Sequence, residues 1–327
     1  MEWSVPQKVV LGVLILLCIN YLMIVAWDKL AQIPTDAVEG FDGSGPAAQG
    51  SDTSLYTWTT DPQLIYDDFY AGVYDQLSHQ AERTAAKTQL VLSIWGKDDP
   101  KKDGWIVMDA GCGTGHATAV LAKAGCGRVV ALDYAPAMID QAQKVVIPAA
   151  KLTSEQANRI TWRKDSLINP SAFAAGEISH AICMYFTFYY LQDQEQFFRH
   201  MNFWIKTGGK LCVEVVNKHK FDPILESASP FVGFSLQKYS KDRIRKSKVT
   251  FDKFDYEAEF ILTDPKAEFY ETFRFKNNHI RRQKHVLYMP AMEQVVAMAK
   301  RAGWKYVGYQ DLNPLGFEYA YLLMFEK

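Results

Sequence analysis

The sequence predicts an α/β fold: a mostly parallel seven-stranded sheet with helices on both faces, an antiparallel insertion, and one apolar helix at the N-terminus. Three observations carry this expectation. Between residues 105 and 216, short apolar runs alternate with stretches of helical period, the pattern of a parallel sheet covered on both sides. Three of these runs end in an acid: Asp109, Asp133 and Asp165. Residues 254–289 alternate apolar and polar positions, as antiparallel strands do.

The composition is that of a globular chain. Of 327 residues, 48% are hydrophobic and 22% charged, with a formal net charge of -1. That excludes a disordered chain and a polytopic membrane protein, and a balanced charge gives no global drive toward nucleic acid. The five cysteines are odd in number and contain no CxxC. A disulfide framework or a structural metal site is therefore not expected.

The N-terminus departs from this composition. Residues 9–27, VVLGVLILLCINYLMIVAW, carry no charge. At about 1.5 Å per residue they span roughly 28 Å, close to the hydrocarbon thickness of a bilayer. No A-x-A-like cleavage site follows, which argues against a signal peptide. A single-pass transmembrane anchor over residues 1–30 is expected, followed by a Gly/Ala/Pro/Ser/Asp-rich tether over 31–57 and one domain over 58–327. Lys8 and Lys29 balance across the apolar run, so charge does not decide orientation.

The domain is expected to begin with helices. Asp61 suits an N-cap ahead of Pro62, and Ile65, Tyr66, Phe69, Tyr70, Val73 and Leu77 keep a 3.6-residue period, with a break near Ser78-His79. The strands then follow as WIVMD (105–109), RVVALD (128–133), ITWRKD (160–165), HAICMYF (180–186) and KLCVEVV (210–216). Helices lie between them at 117–125, 136–145 and 193–205. Residues 217–289 read as an antiparallel lid, and a helix at 290–303 and two strands complete the sheet. In such sheets ligands lie at the carboxyl ends of the strands, near the point where strand order reverses.

The turn after the first of these strands is informative. Gly111, Gly113 and Gly115 give G-x-G-x-G, two residues after Asp109. Glycines there permit unusual backbone torsions and close approach to a ligand. A dinucleotide turn would place its third glycine at 116, which is His116. An adjacent carboxylate disfavours a pyrophosphate and suits a ligand ammonium. Asp133 is placed to accept hydrogen bonds from a ribose diol.

On these residues, V-M-D-A-G-C-G-T-G at 107–115 above all, the chain resembles the Class I S-adenosylmethionine-dependent methyltransferases, of the small-molecule, type 11/25-like kind, over residues 60–327. The resemblance implies a Rossmann-like fold and S-adenosyl-L-methionine as cofactor. Carried over by position, Asp109 and Gly111 to Gly115 would hold the methionine end. Asp133 would hold the ribose, with Tyr134 and Met138 beside the adenine. Asp165 and Ser166 would meet the adenine amino group, and Met184 and Tyr185 would face the sulfonium and the acceptor. The upstream tyrosines Tyr66, Tyr70 and Tyr74 would close over the cofactor.

No side chain reads as a clear catalyst. His116, Tyr185 and Tyr189 are weak candidates, Tyr190 is another, and His180, which starts a strand, reads as structural. The expected function is a membrane-anchored methyltransferase acting on a small molecule or a lipid, with its domain in the cytosol, where the cofactor is made. A protein or RNA acceptor, or an inactive cofactor-binding scaffold, are the alternatives. The basic run 238–248, KYSKDRIRKSK, reads as a solvated loop or as a contact for an anionic surface. The cofactor reading also implies that Asp133→Ala weakens binding with little change in the stability of the unliganded chain.

Overall fold

The computed structural model describes residues 56–78, 80–221 and 245–327. The apolar run 9–27, most of the tether and residues 238–244 of the basic run lie outside the described residues. Among the described residues, no helix is long and apolar enough to cross a membrane.

Twelve strands follow in chain order: β1 (Tyr56–Thr59), β2 (Ile106–Ala110), β3 (Arg128–Asp133), β4 (Ile160–Lys164), β5 (Ile178–Cys183), β6 (Ile205–Val216), β7 (Lys246–Thr250), β8 (Phe254–Thr263), β9 (Lys266–Phe275), β10 (Ile280–Tyr288), β11 (Lys305–Asp311) and β12 (Ala320–Glu326). They form two sheets. The seven-stranded sheet runs β11-β12-β6-β5-β2-β3-β4, and β12 is antiparallel to both neighbours. The expected seven-stranded, mostly parallel sheet is present. From β2 the chain steps outward to β3 and β4, then returns to place β5 on the other side of β2. The strand order therefore reverses between β2 and β5, and ligands bind at such a point.

The short apolar runs form this sheet because both of its faces are buried. Met108, Val130, Leu132, Ala181, Cys183 and Val213 belong to one core. Their chain neighbours Val107, Val129, Ile182 and Cys212 belong to the other. Successive side chains point to opposite faces, so a strand covered on both sides must be apolar throughout. On the first face the helix Gln194–Trp204 packs Phe197, Phe198, Met201 and Trp204, all fully buried. On the second, the helix Gln80–Asp98 packs Val91, Leu92 and Trp95, and the helix His116–Lys123 packs Ala117, Leu121 and Ala122.

The second sheet has five strands in the order β1-β10-β9-β8-β7. Residues 254–289 form the expected antiparallel strands, but both edges differ from expectation. Tyr56 and Thr57, assigned to the tether, belong to β1, which pairs in parallel with β10 through Tyr56↔Ile280 and Thr57↔Arg281. At the other edge, part of the basic run forms β7. There Lys246 lies 3.5 Å from Glu259 and Lys248 lies 3.4 Å from Glu257 on β8. Cross-strand carboxylates thus face two of the charges.

The N-terminal helical region also divides further than its period implies. Asp61 caps Pro62–Ile65, its side chain accepting from the Gln63 amide, and a second helix runs Asp68–Ser78. Between them, Nη1 of Arg281 on β10 donates to both carboxylate oxygens of Asp67, at 2.9 and 2.7 Å. Arg281 also donates to the Ile65 carbonyl. This tertiary clamp lies where the first helix ends. From there Phe69 packs edge-on against Phe254 and Phe273, which fixes the Asp68–Ser78 helix to the second sheet.

Candidate active site

A cavity of about 320 Å³ opens at the carboxyl ends of β2, β3 and β5, within the size range of small-molecule sites. Its lining combines Asp109, the 111–114 turn, Asp133 and Asp165 with the apolar side chains Phe221, Phe260, Phe269 and Leu287, three of them from the second sheet.

The glycine turn is shaped by close contacts. Gly111 has φ +73°, and a Cβ there would come within 2.3 Å of the Thr187 methyl. Gly115 has φ +83°, and its Cβ would lie 2.9 Å from that of Ala142. Gly115 is absent from the cavity wall; it lets the His116–Lys123 helix approach its neighbour. The turn is also tied down from outside. Asp75, on the Asp68–Ser78 helix, accepts from the Thr114 hydroxyl at 2.6 Å and pairs with His116 Nε2 at 2.9 Å.

Asp109 is buried and accepts from the Thr118 hydroxyl at 2.7 Å. Burial pushes its carboxyl up to about 6, Asp133 adds to this, and the Thr118 bonds oppose it. Asp133 accepts from the backbone amides of Gly113 and Ala135, each at 2.9 Å. Burial pushes its carboxyl up, against those bonds. The carboxylate thus holds the turn as well as facing the cavity, so Asp133→Ala would orphan two amides. The expectation that this substitution leaves the unliganded chain unperturbed does not survive that geometry. Tyr134, Met138, Ser166 and Met184 also line the cavity. The Tyr134 hydroxyl is buried without a hydrogen-bond partner among the described residues, as a group awaiting a ligand would be.

Tyr185 lies at the end of β5 with φ +55°, a conformation costly for a non-glycine residue and typical of functional positions. Its amide donates to Glu214 Oε2 at 2.8 Å, and Glu214 Oε1 accepts from Lys87 Nζ at 2.5 Å. Lys87 and Glu214 are both buried, so this ion pair fixes the strained residue from behind. Tyr189 is elsewhere: fully buried, with its phenol bonded to the Val216 amide at 2.8 Å, and not part of the cavity wall. His180 stacks on Trp105 at 4.2 Å in the core, and burial lowers its imidazole to about 3, with Lys210 contributing. It is structural.

A polar chain in the cavity wall was not legible in the sequence. Tyr66 bonds Tyr190 (2.9 Å), Tyr190 bonds His285 Nδ1 (2.7 Å), and His285 Nε2 bonds Glu271 (2.5 Å). Tyr70, Tyr256 and Gln283 also donate to Glu271. A signal was present: Ala267, Phe269, Phe273 and Phe275 share the inward parity of β9, and Glu271 interrupts them. On β10 the same parity reads Arg281, Gln283, His285 and Leu287, all buried. Polar residues at core positions of an alternating strand mark a built site.

Residues 107–209 match the family model described as a methyltransferase domain. No curated protein sequence matches the chain. Solved structures share the fold at low identity. The CcbJ methyltransferase from Streptomyces caelestis is 15% identical with a TM-score of 0.58, over 81% of this chain and 99% of that one. An S-adenosylmethionine-dependent methyltransferase from Clostridium acetobutylicum is 14% identical with a TM-score of 0.55, over 79% and 98%. CalS10 from Micromonospora echinaspora, an amino pentose methyltransferase with S-adenosylmethionine bound, is 15% identical with a TM-score of 0.52, over 80% and 97%. The glycine turn and the strand order agree with that family match: residues 107–209 carry a methyltransferase domain, set in a fold shared with S-adenosylmethionine-dependent methyltransferases.

Proposed function

We propose that the chain transfers the methyl group of S-adenosylmethionine to a small molecule or a lipid with an apolar body. One observation carries this reading: the cavity is lined both by carboxylates around the glycine turn and by apolar side chains of the second sheet. The residues fit the cofactor. Asp109 would hold its ammonium and Asp133 its ribose hydroxyls, with Tyr134 and Met138 beside the adenine and Asp165 and Ser166 at its amino group. When bound, the cofactor supplies a methyl carbon made electrophilic by a positive sulfur. The protein's part is to align the acceptor with that carbon and to exclude water. Tyr185, fixed by Glu214, and the tyrosines of the N-terminal helices form the walls that do so.

The apolar run 9–27 supports a single-pass anchor, and the cytosolic origin of the cofactor supports a domain that faces the cytosol. An apolar acceptor is most concentrated near a membrane, so an anchor and a greasy subsite serve the same end. Two measurements test the reading. Calorimetry should show micromolar binding of S-adenosylmethionine or S-adenosylhomocysteine and none of NAD at comparable concentration. Labelled S-adenosylmethionine incubated with lipid and metabolite extracts should label an organic-soluble product. Preferential NAD binding would overturn the proposal. Separately, protease should digest the domain in sealed vesicles whose cytosolic face is outward; protection would overturn the topology alone.

A further inference from the structure

Methyl transfer needs a base early only when the nucleophile is weak until it loses a proton. A neutral amine already offers its lone pair; a hydroxyl becomes a strong nucleophile only as its proton leaves. The cavity contains a group suited to that task. Glu271 is buried, and burial would push its carboxyl up. Hydrogen bonds from Tyr70, Tyr256 and Gln283, with His285 Nε2 at 2.5 Å, oppose burial and favour the ionised carboxylate. An ionised carboxylate only accepts hydrogen bonds, so His285 Nε2 carries a proton toward it. In the neutral ring, Nδ1 is then the lone-pair nitrogen, and it faces the Tyr190 hydroxyl at 2.7 Å. Tyr190 therefore donates to His285, and its oxygen accepts from Tyr66 at 2.9 Å and keeps one lone pair for an acceptor hydroxyl.

We infer that Tyr190, backed by His285 and Glu271, takes the proton of an acceptor hydroxyl carried on an apolar body, so that the reaction is an O-methylation. The inference rests on the methyltransferase reading above. In the step, the acceptor's O–H proton passes to Tyr190 Oη while the Tyr190 proton passes to His285 Nδ1. The acceptor oxygen forms a bond to the methyl carbon, the carbon–sulfur bond breaks, and its electron pair stays on sulfur. The products are the methyl ether, S-adenosylhomocysteine and an imidazolium paired with Glu271. Burial pushes the Tyr190 phenol well up, so it passes protons on rather than standing ionised. The other groups facing the pair are Tyr66, Tyr70, Tyr256 and Gln283, all uncharged at neutral pH.

The test uses a coloured probe. The chain is loaded with S-adenosylhomocysteine, verified by calorimetry, and 4-nitrophenol is titrated by absorbance across pH. Bound 4-nitrophenol should form its yellow phenolate at least about one pH unit below the free probe, a tenfold change in ionisation ratio. Tyr190→Phe should abolish the shift while keeping S-adenosylhomocysteine binding, and His285→Gln should abolish it independently. Three results would overturn the inference: a loaded wild-type chain that does not bind the probe, bound probe that ionises like free probe, or a shift that persists in both variants. Failure to bind S-adenosylhomocysteine would overturn the methyltransferase reading, and this inference with it.

Discussion

Asp109 and Asp133 are adjacent buried carboxyls with different duties. Asp109 is protonated in the folded chain below about pH 6, and an ammonium ligand needs its carboxylate. Binding of S-adenosylhomocysteine should therefore weaken as pH falls through about 6, by up to about tenfold per unit. The stability of the unliganded chain runs the other way: a raised carboxyl contributes below the ordinary range, and that contribution is lost as pH rises through about 6. Asp109→Asn keeps an acceptor for Thr118 and removes the buried charge. It should flatten the pH slope of binding without lowering the unliganded melting temperature at pH 7. Asp133→Ala should weaken binding roughly 10- to 150-fold, the loss of a charge-assisted hydrogen bond. It should also lower the melting temperature, because two backbone amides lose their acceptor; Asp133→Asn should lower it less. Calorimetry and thermal melts read both effects.

At the scale of elements, the strained Tyr185 turn depends on an ion pair between the Gln80–Asp98 helix and β6. Lys87 also lies over the Phe317 ring, 4.4 Å from its centroid. Removing one partner of a buried pair leaves an uncompensated charge and typically costs 3–5 kcal/mol. Lys87→Met should reduce unfolding free energy by about that much, measured by denaturant titration. Replacing both members, with Glu214→Gln alongside, should recover part of the loss. If Lys87→Met is neutral, the pair does not hold the turn.

At the scale of the whole molecule, the described fold opens with β1. β1 begins at Tyr56 and pairs with β10, so a chain starting at residue 51 should fold and bind S-adenosylhomocysteine. A chain starting at residue 61 loses that edge strand and should melt lower. Equal stability of the two would mean that β1 contributes nothing to the second sheet.

What the sequence determined by itself is what depends on neighbours along the chain. The apolar runs of β2, β3 and β5 are continuous because both faces are covered, and the alternation of β8 to β10 reports one buried face; both are local patterns. The glycine turn with Asp109 and Asp133 is local as well, because a strand, a turn and a helix in order must place those groups at one strand end. What only the tertiary structure decided joins residues far apart in the chain. The Thr57–Arg281 pairing, the Lys87–Glu214 ion pair behind Tyr185, the Asp75 tie to Thr114 and His116, and the Tyr190–His285–Glu271 chain each link different elements. A buried polar residue in a single strand looks like a flaw in the apolar pattern until its partner is known. The partner is chosen by sheet register and layer packing, which a one-dimensional pattern does not encode.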